Sequence, residues 1–215
     1  MKDRDRYHHG YLKKTMIEEG IKYIKKHGVE NMSLRRLASL CNVSHSAPYK
    51  HFKDKSDFID QIILYVTDKF MDTLNEIYHE YKGTFDIMTE LGIGYVNFFA
   101  NNPNYFNILF FENQVDFGLV FSEDDDDINF FPPFALFKNA AVEFLEYAGI
   151  EREEYNDQVL FMWSIVQGLA TIFTLKGVEY TDRQRASIRR ILGIKQYSTC
   201  DEEIDKDGKT KLDIL

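Results

Sequence analysis

SLRRLASLCNVSHSAPYKHF, Ser33 to Phe52, decides how the rest of the chain reads. Ser33 stands where a helix N-cap belongs, and Leu34, Leu37, Ala38 and Cys41 then recur at the spacing of one helical face. Asn42 follows, and asparagine is among the few residues besides glycine that tolerate the left-handed backbone of a tight turn. Ser44 is the next candidate cap and opens a helix of roughly two turns ending at Phe52. Pro48 falls in its first full turn, where a missing N–H costs at most one hydrogen bond and a fixed φ already suits a helix. Short helix, tight turn, short helix is a helix-turn-helix.

The order of side chains in the second short helix suits a DNA groove. Such a helix needs small groups at its leading end, so that the backbone approaches base edges, and long donors where phosphates pass. Ser44, His45, Ser46 and Ala47 are small or hydrogen-bonding. Pro48 offers a donor-free surface beside Tyr49, suited to a thymine methyl or a sugar. Tyr49, Lys50 and His51 reach phosphates, and Phe52 turns inward as an anchor. Lys55, opening the next helix, stands beside free backbone N–H groups that also attract phosphate. Ser33 with Arg35 or Arg36 clamps the DNA backbone on the other side. The plain alternative is a surface turn with two capping serines.

Charge weighs against that alternative. The 215-residue chain carries a net charge of -9, which alone disfavours nucleic acid. Its distribution says otherwise: residues 1–55 hold 13 Lys and Arg against 6 Asp and Glu, a net of +7. Of 26 basic and 35 acidic residues overall, 13 and 29 remain beyond Lys55, a net of -16. The two parts face different partners.

Outward from this stretch, apolar periodicity gives helices nearly everywhere. Leu12, Met16, Ile17, Ile21 and Ile24 mark a basic amphipathic helix over Tyr11 to Lys26, stopped by Gly28. Asp54 caps a fourth helix whose stripe is Phe58, Ile62, Val66, Phe70 and Leu74. Beyond Lys82, helices are expected over Thr84 to Asn101, Tyr105 to Phe111, Phe134 to Tyr147, Tyr155 to Lys176 and Arg183 to Leu192. The aspartate run in SEDDDDINFFPP, Ser122 to Pro133, reads as a loop, and the segment after Lys195 as a polar tail. The expected class is therefore all-α: an N-terminal three-helix helix-turn-helix domain, residues 1–55; a larger helical effector-binding and dimerisation domain, residues 56–195; and a tail, residues 196–215.

Several function classes lack their signatures. No GxSxG, HExxH, P-loop or GxGxxG occurs, so an enzyme is not expected. Cys41 and Cys200 have no partner spacing, adjacent His8 and His9 alone seldom make a site, and EIDKDGKTKLDI departs from a calcium loop at its twelfth position, Ile214. No metal or cofactor is expected. A charged N-terminus without an apolar core, and no apolar run long enough to span a bilayer, point to a cytoplasmic protein.

YHHGYLKKTMIEEGIKYIKKHG followed by SLRRLASLCNVSHSAPYKHFKDKSDF resembles the N-terminal DNA-binding domain of TetR-type transcriptional regulators, and YHHG with APYKHF resembles one branch of that family. MWSIVQGLATIF resembles the Trp-His-Gly segment of that branch's C-terminal domain, with Gln167 in the histidine position, and NPNYFNILFFE resembles its short helix after the fifth. The resemblance implies a homodimeric repressor on a palindromic double-stranded operator, released by a small effector. It places the reading helix at Ser44 to Phe52, with Tyr49, Lys50 and Lys55 at phosphates. Arg4, Arg6, Tyr7 and His8 are read as an arm toward the minor groove.

The long apolar helix Tyr155 to Lys176 is either central to one subunit or shared between two. Trp163, Gln167, Gly168 and Thr171, with Ile188 and Ile191 of the last helix, are the expected dimer interface. Tyr65, Phe70, Tyr95, Phe99, Phe106, Phe110, Phe137 and Trp163 are the expected lining of an apolar or aromatic effector site, although cores are built from the same residues. The scarcity of basic residues there disfavours an anionic effector. An architectural DNA-binding protein without effector is the alternative from another class.

Overall fold

The computed structural model describes residues 2–110 and 131–193, with side chains described from Tyr11 onward. The aspartate run, the polar tail and the side chains of the N-terminal arm lie outside the described residues. All the described regular structure is helical: α1 Lys2–His27, α2 Leu34–Leu40, a 3-10 turn Pro48–Lys50, α3 Lys55–Tyr81, α4 Ile87–Asn101, α5 Pro103–Phe110, α6 Pro132–Tyr147, α7 Tyr155–Thr174 and α8 Asp182–Gly193. A short 3-10 turn, Arg152–Glu154, leads into α7.

The boundaries follow from local chemistry. Ser33 Oγ accepts from the Arg36 N–H at 3.2 Å, and Asp54 Oδ1 accepts from the Asp57 N–H at 2.9 Å, so both caps satisfy donors that a helix leaves unpaired. Asp57 returns the favour to the Lys53 N–H at 2.7 Å. Asn42 has φ 53, the left-handed geometry the turn requires. Beyond shifts of two or three residues at the ends of α4 to α7, two differences from expectation are larger. α1 begins at Lys2 rather than Tyr11, its backbone running through the YHHG segment.

The second difference is the reading helix. Ser44 to Phe52 is not two α-turns but a turn at Ser44–Ala47 followed by the 3-10 turn Pro48–Lys50, closed by the Phe52 N–H donating to the Pro48 carbonyl at 2.9 Å. An α-helix there needs Pro48 to donate to the Ser44 carbonyl, and proline has no N–H. Ala47 N–H takes that carbonyl instead at 2.9 Å, Lys50 N–H takes Ala47 O at 3.1 Å, and Pro48 enters as the first residue of the 3-10 turn.

α3 is the spine shared by both ends of the molecule. Near its start, Phe58 and Ile62 pack with Met16, Ile17 and Ile21 of α1, Leu37 of α2 and Phe52 in one continuous buried cluster. Phe52 meets Phe58 edge-on at 4.9 Å. Gly20 is what lets α1 lie this close, because a Cβ there would sit 2.3 Å from Phe58 Cζ. Further along, Phe70 and Leu74 belong to the core formed with α4 to α7. The boundary expected after Lys55 thus falls at the first turn of α3, and the buried cluster runs across it.

Candidate nucleic-acid interface

The turn after α2 sorts its side chains cleanly between water and core. Ser44, His45, Ser46, Tyr49 and Lys50 are exposed, Tyr49 to 56%. Ser44 and Ser46 share a hydroxyl–hydroxyl hydrogen bond of 3.2 Å, which holds the leading edge in one shape. Ala47 and His51 are half-buried, and Phe52 is buried. Pro48 is buried as well. It therefore does not present the donor-free surface expected of it; its ring anchors the turn from beneath while Tyr49 and Lys50 stand outward.

Ser33, Arg35 and Arg36 lie exposed at the start of α2. The Arg36 guanidinium sits 5.9 Å from the Tyr23 ring centroid on α1, a cation–π contact that positions it. Lys55 is held at a defined place: its ammonium donates to the Glu30 carbonyl at 3.0 Å, tying the start of α3 to the α1–α2 loop. An ammonium has three N–H donors, so this bond leaves capacity for a phosphate oxygen.

Two polar ties that sequence reasoning missed join α1 to α3. Lys13 Nζ donates to Gln61 Oε1 at 2.6 Å, and Tyr65 OH donates to Glu18 Oε1 at 2.8 Å. Burial, then the hydrogen bond to Glu18, pushes the Tyr65 phenol well above its ordinary value. Tyr65 therefore sits at the junction of α1 and α3 and not among the rings expected to line an effector site. The partners lie 48 and 47 residues apart in sequence and two of them are uncharged, so no local pattern marks them.

Those rings form a packed cluster. Phe70 lies 5.1 Å edge-on from Tyr95 and 4.7 Å from Phe99; Phe99 meets Phe106 at 5.1 Å and Phe110 at 5.7 Å; Trp163 meets Tyr95 at 5.3 Å and Phe137 at 5.2 Å. Such spacings are direct ring contact. Tyr95 is fully buried, its hydroxyl donating to Gln167, and burial pushes its phenol far up. Gln167 thereby satisfies a polar group that the core encloses.

Of the residues expected at a dimer interface, Trp163 and Ile188 turn inward, at 4% and 1% exposure, because their faces of α7 and α8 close the subunit core. Gln167 and Thr171 are half-buried, and Gly168 and Ile191 are exposed. Other apolar residues of α7 face outward: Leu160, Phe161 and Ile172, with Leu175 just past its end, all at least 44% exposed.

Comparison with known proteins agrees with this geometry. Residues 16–62, from α1 through the reading turn into α3, match the bacterial regulatory proteins of the tetR family. An HTH-type transcriptional regulator of Staphylococcus aureus (strain USA300) is 25% identical, over 65% of this chain and 85% of its own. Among solved structures, a Rhodococcus sp. RHA1 protein of unknown function shares the fold with TM-score 0.62 at 20% identity, covering 86% of this chain and 97% of that one. A TetR family transcription regulator from Marinobacter aquaeolei VT8 does so with TM-score 0.56 at 12% identity, covering 89% and 96%. The relatives with an assigned role are transcriptional regulators and not enzymes.

Proposed function

We propose that this chain, a TetR-family DNA-binding transcriptional regulator, acts in the cytoplasm as a homodimeric repressor on a palindromic operator, and that a small, largely apolar or aromatic effector releases it. The family branch is the one marked by YHHG and a Trp-His-Gly segment, here with Gln167 in the histidine position. The observation that carries the reading is the turn itself: small groups and two long donors held outward on a buried Pro48–Phe52 anchor, inside a segment of net +7. Ser44, His45 and Ser46 face base edges, while Tyr49 and Lys50 face phosphates, joined by Lys55 and Arg36.

The dimer is supported by the outward apolar side of α7. A Cβ added at Gly168 meets nothing within 4 Å in the subunit, so a second helix has room to approach there. Leu160, Phe161, Ile172 and Ile191 are what a twofold partner would cover. Two reading turns on one face of double-stranded DNA then sit about 34–36 Å apart, one helical repeat. No helix among the described residues is long and apolar enough to cross a membrane.

For the effector, entry between α4 and α7 must part the ring cluster. That displacement reaches Phe70, hence α3, and through α3 the separation of the two reading turns. Selection from a pool of random DNA duplexes tests the core of this reading. An inverted repeat should be enriched, its affinity should fall by about 0.9 log units per log unit of salt for each phosphate neutralised, and the protein should sediment as a dimer. Enrichment of no sequence, or only of unsymmetrical sites, would sink it. Affinity unmoved by any member of an aromatic and cationic ligand panel would favour the architectural alternative.

A further inference from the structure

A cavity of about 40 Å³ opens where α3 turns into α4 and both meet α6. The turn depends on Gly83, whose φ of 77 disfavours any side chain. Ile87, Ala140 and Phe144 give the cavity a buried apolar lining, while Thr84, Glu143 and Tyr147 line it from the solvent side. Beside it stands Phe85, its ring 4.6 Å from that of Tyr147 and 6.3 Å edge-on from that of Phe144. Phe85 and Tyr147 are 62% and 65% exposed. Two large rings left in water around a cavity cost apolar burial that a guest would restore.

The chemistry of this corner selects the sign of the guest. Glu143 accepts from the Tyr78 hydroxyl at 3.0 Å, and the Lys82 ammonium lies 3.8 Å from the same carboxylate oxygen and 5.1 Å from the Tyr78 ring centroid. One ammonium is thus already held between an aromatic face and this carboxylate. An anion would meet Glu143 in a part of the chain whose net charge is -16. Aromatic faces backed by a carboxylate attract organic cations, most of all those whose charge is spread over methyl groups. A water needs about 10–15 Å³ of such space, so the cavity takes a head of about three or four heavy atoms. A trimethylammonium group has that size.

We propose that this cavity is a binding site for a compact organic cation of the alkylammonium class, gripped by Tyr147, Phe85 and Phe144 and neutralised by Glu143. Lys82 is its competitor for the carboxylate, which makes removal of Lys82 a diagnostic.

Choline is the probe and 3,3-dimethylbutan-1-ol, its neutral isostere, the control; calorimetry on the full chain at constant ionic strength is the readout. Saturable choline binding is expected at roughly millimolar affinity, with no saturable heat from the isostere. Tyr147→Ala and Glu143→Gln should each weaken choline at least about tenfold, Tyr147→Phe should retain it, and Lys82→Ala should tighten it. Because Tyr147 is exposed, its replacement should leave the thermal midpoint in place, which separates lost binding from lost folding. No choline heat, equal binding of the isostere, or unchanged affinity in Tyr147→Ala would each overturn the proposal. The calorimetry uses no DNA, so its failure is distinct from failure of the regulator reading.

Discussion

Tyr49 and Tyr95 occupy opposite kinds of place. Tyr95 is wholly enclosed, touching Phe70, Phe99 and Trp163 with its ring and Gln167 with its hydroxyl. Tyr49 stands more than half exposed on a turn fixed from below by buried Pro48 and Phe52. In the first region every aromatic group has been spent on another, so its energy goes into the fold. In the second the backbone, two anchors and the Ser44–Ser46 hydrogen bond supply the rigidity, and Tyr49 and Lys50 stand out in solvent. The contrast separates residues that hold the molecule together from residues available to a partner.

The sharpest way to break this contrast is Phe70→Ala. Phe70 has no exposure and touches Tyr95, Phe98 and Phe99, so the variant should lose about 3–5 kcal/mol of unfolding free energy. Urea denaturation followed by circular dichroism measures it. A loss under about 1 kcal/mol would mean that the rings border removable space rather than fill it, and the cluster would then be an effector site already open.

The second test works in the opposite direction. Lys50→Ala should leave unfolding unchanged within about 0.5 kcal/mol, since the side chain stands in solvent. It should weaken DNA binding by about 1–2 kcal/mol, evenly across related sequences, as loss of a phosphate contact does. A mobility-shift series on the selected duplex and its single-base variants reads both features. If affinity fell for one base alone, Lys50 would be a base reader and the assignment within the turn would have to shift.

The outcome of sequence reading divides along the same line. Helices were legible because their signals are local: the period of Phe58, Ile62, Val66, Phe70 and Leu74, the caps Ser33 and Asp54, and Asn42 at the left-handed turn. The sequence locates the reading element, but its form turns on the Ser44 carbonyl, which Pro48 cannot satisfy and which accepts from the Ala47 N–H instead. Facing within the apolar helices was harder. Periodicity places Trp163 on an apolar side, but α7 has more than one, and only the packing of α4 and α6 decides which closes inward; α8 has a single apolar stripe, and its period does not say whether that stripe closes its own subunit or meets a second. Polar partners far apart in sequence, Tyr65 with Glu18 and Lys55 with Glu30, leave no local signal.

That last pair sets the smallest and most discriminating test. Lys55 belongs to both regions at once: its ammonium bonds the Glu30 carbonyl at 3.0 Å, and it stands at the positive end of α3 beside the reading turn. The bond is solvent-exposed, so Lys55→Met should cost only about 0.5–1 kcal/mol of stability. A side chain already ordered by that carbonyl loses little further freedom on meeting a phosphate, and the remaining N–H groups are free to make the contact. The slope of log affinity against log salt should therefore become shallower by about 0.9, the share of one phosphate. Lys55→Arg should keep the slope while changing the tie to Glu30, because charge is retained and donor geometry is not. A stability loss in Lys55→Met with an unchanged slope would place Lys55 wholly on the structural side, and the DNA-facing surface would then end at Lys50.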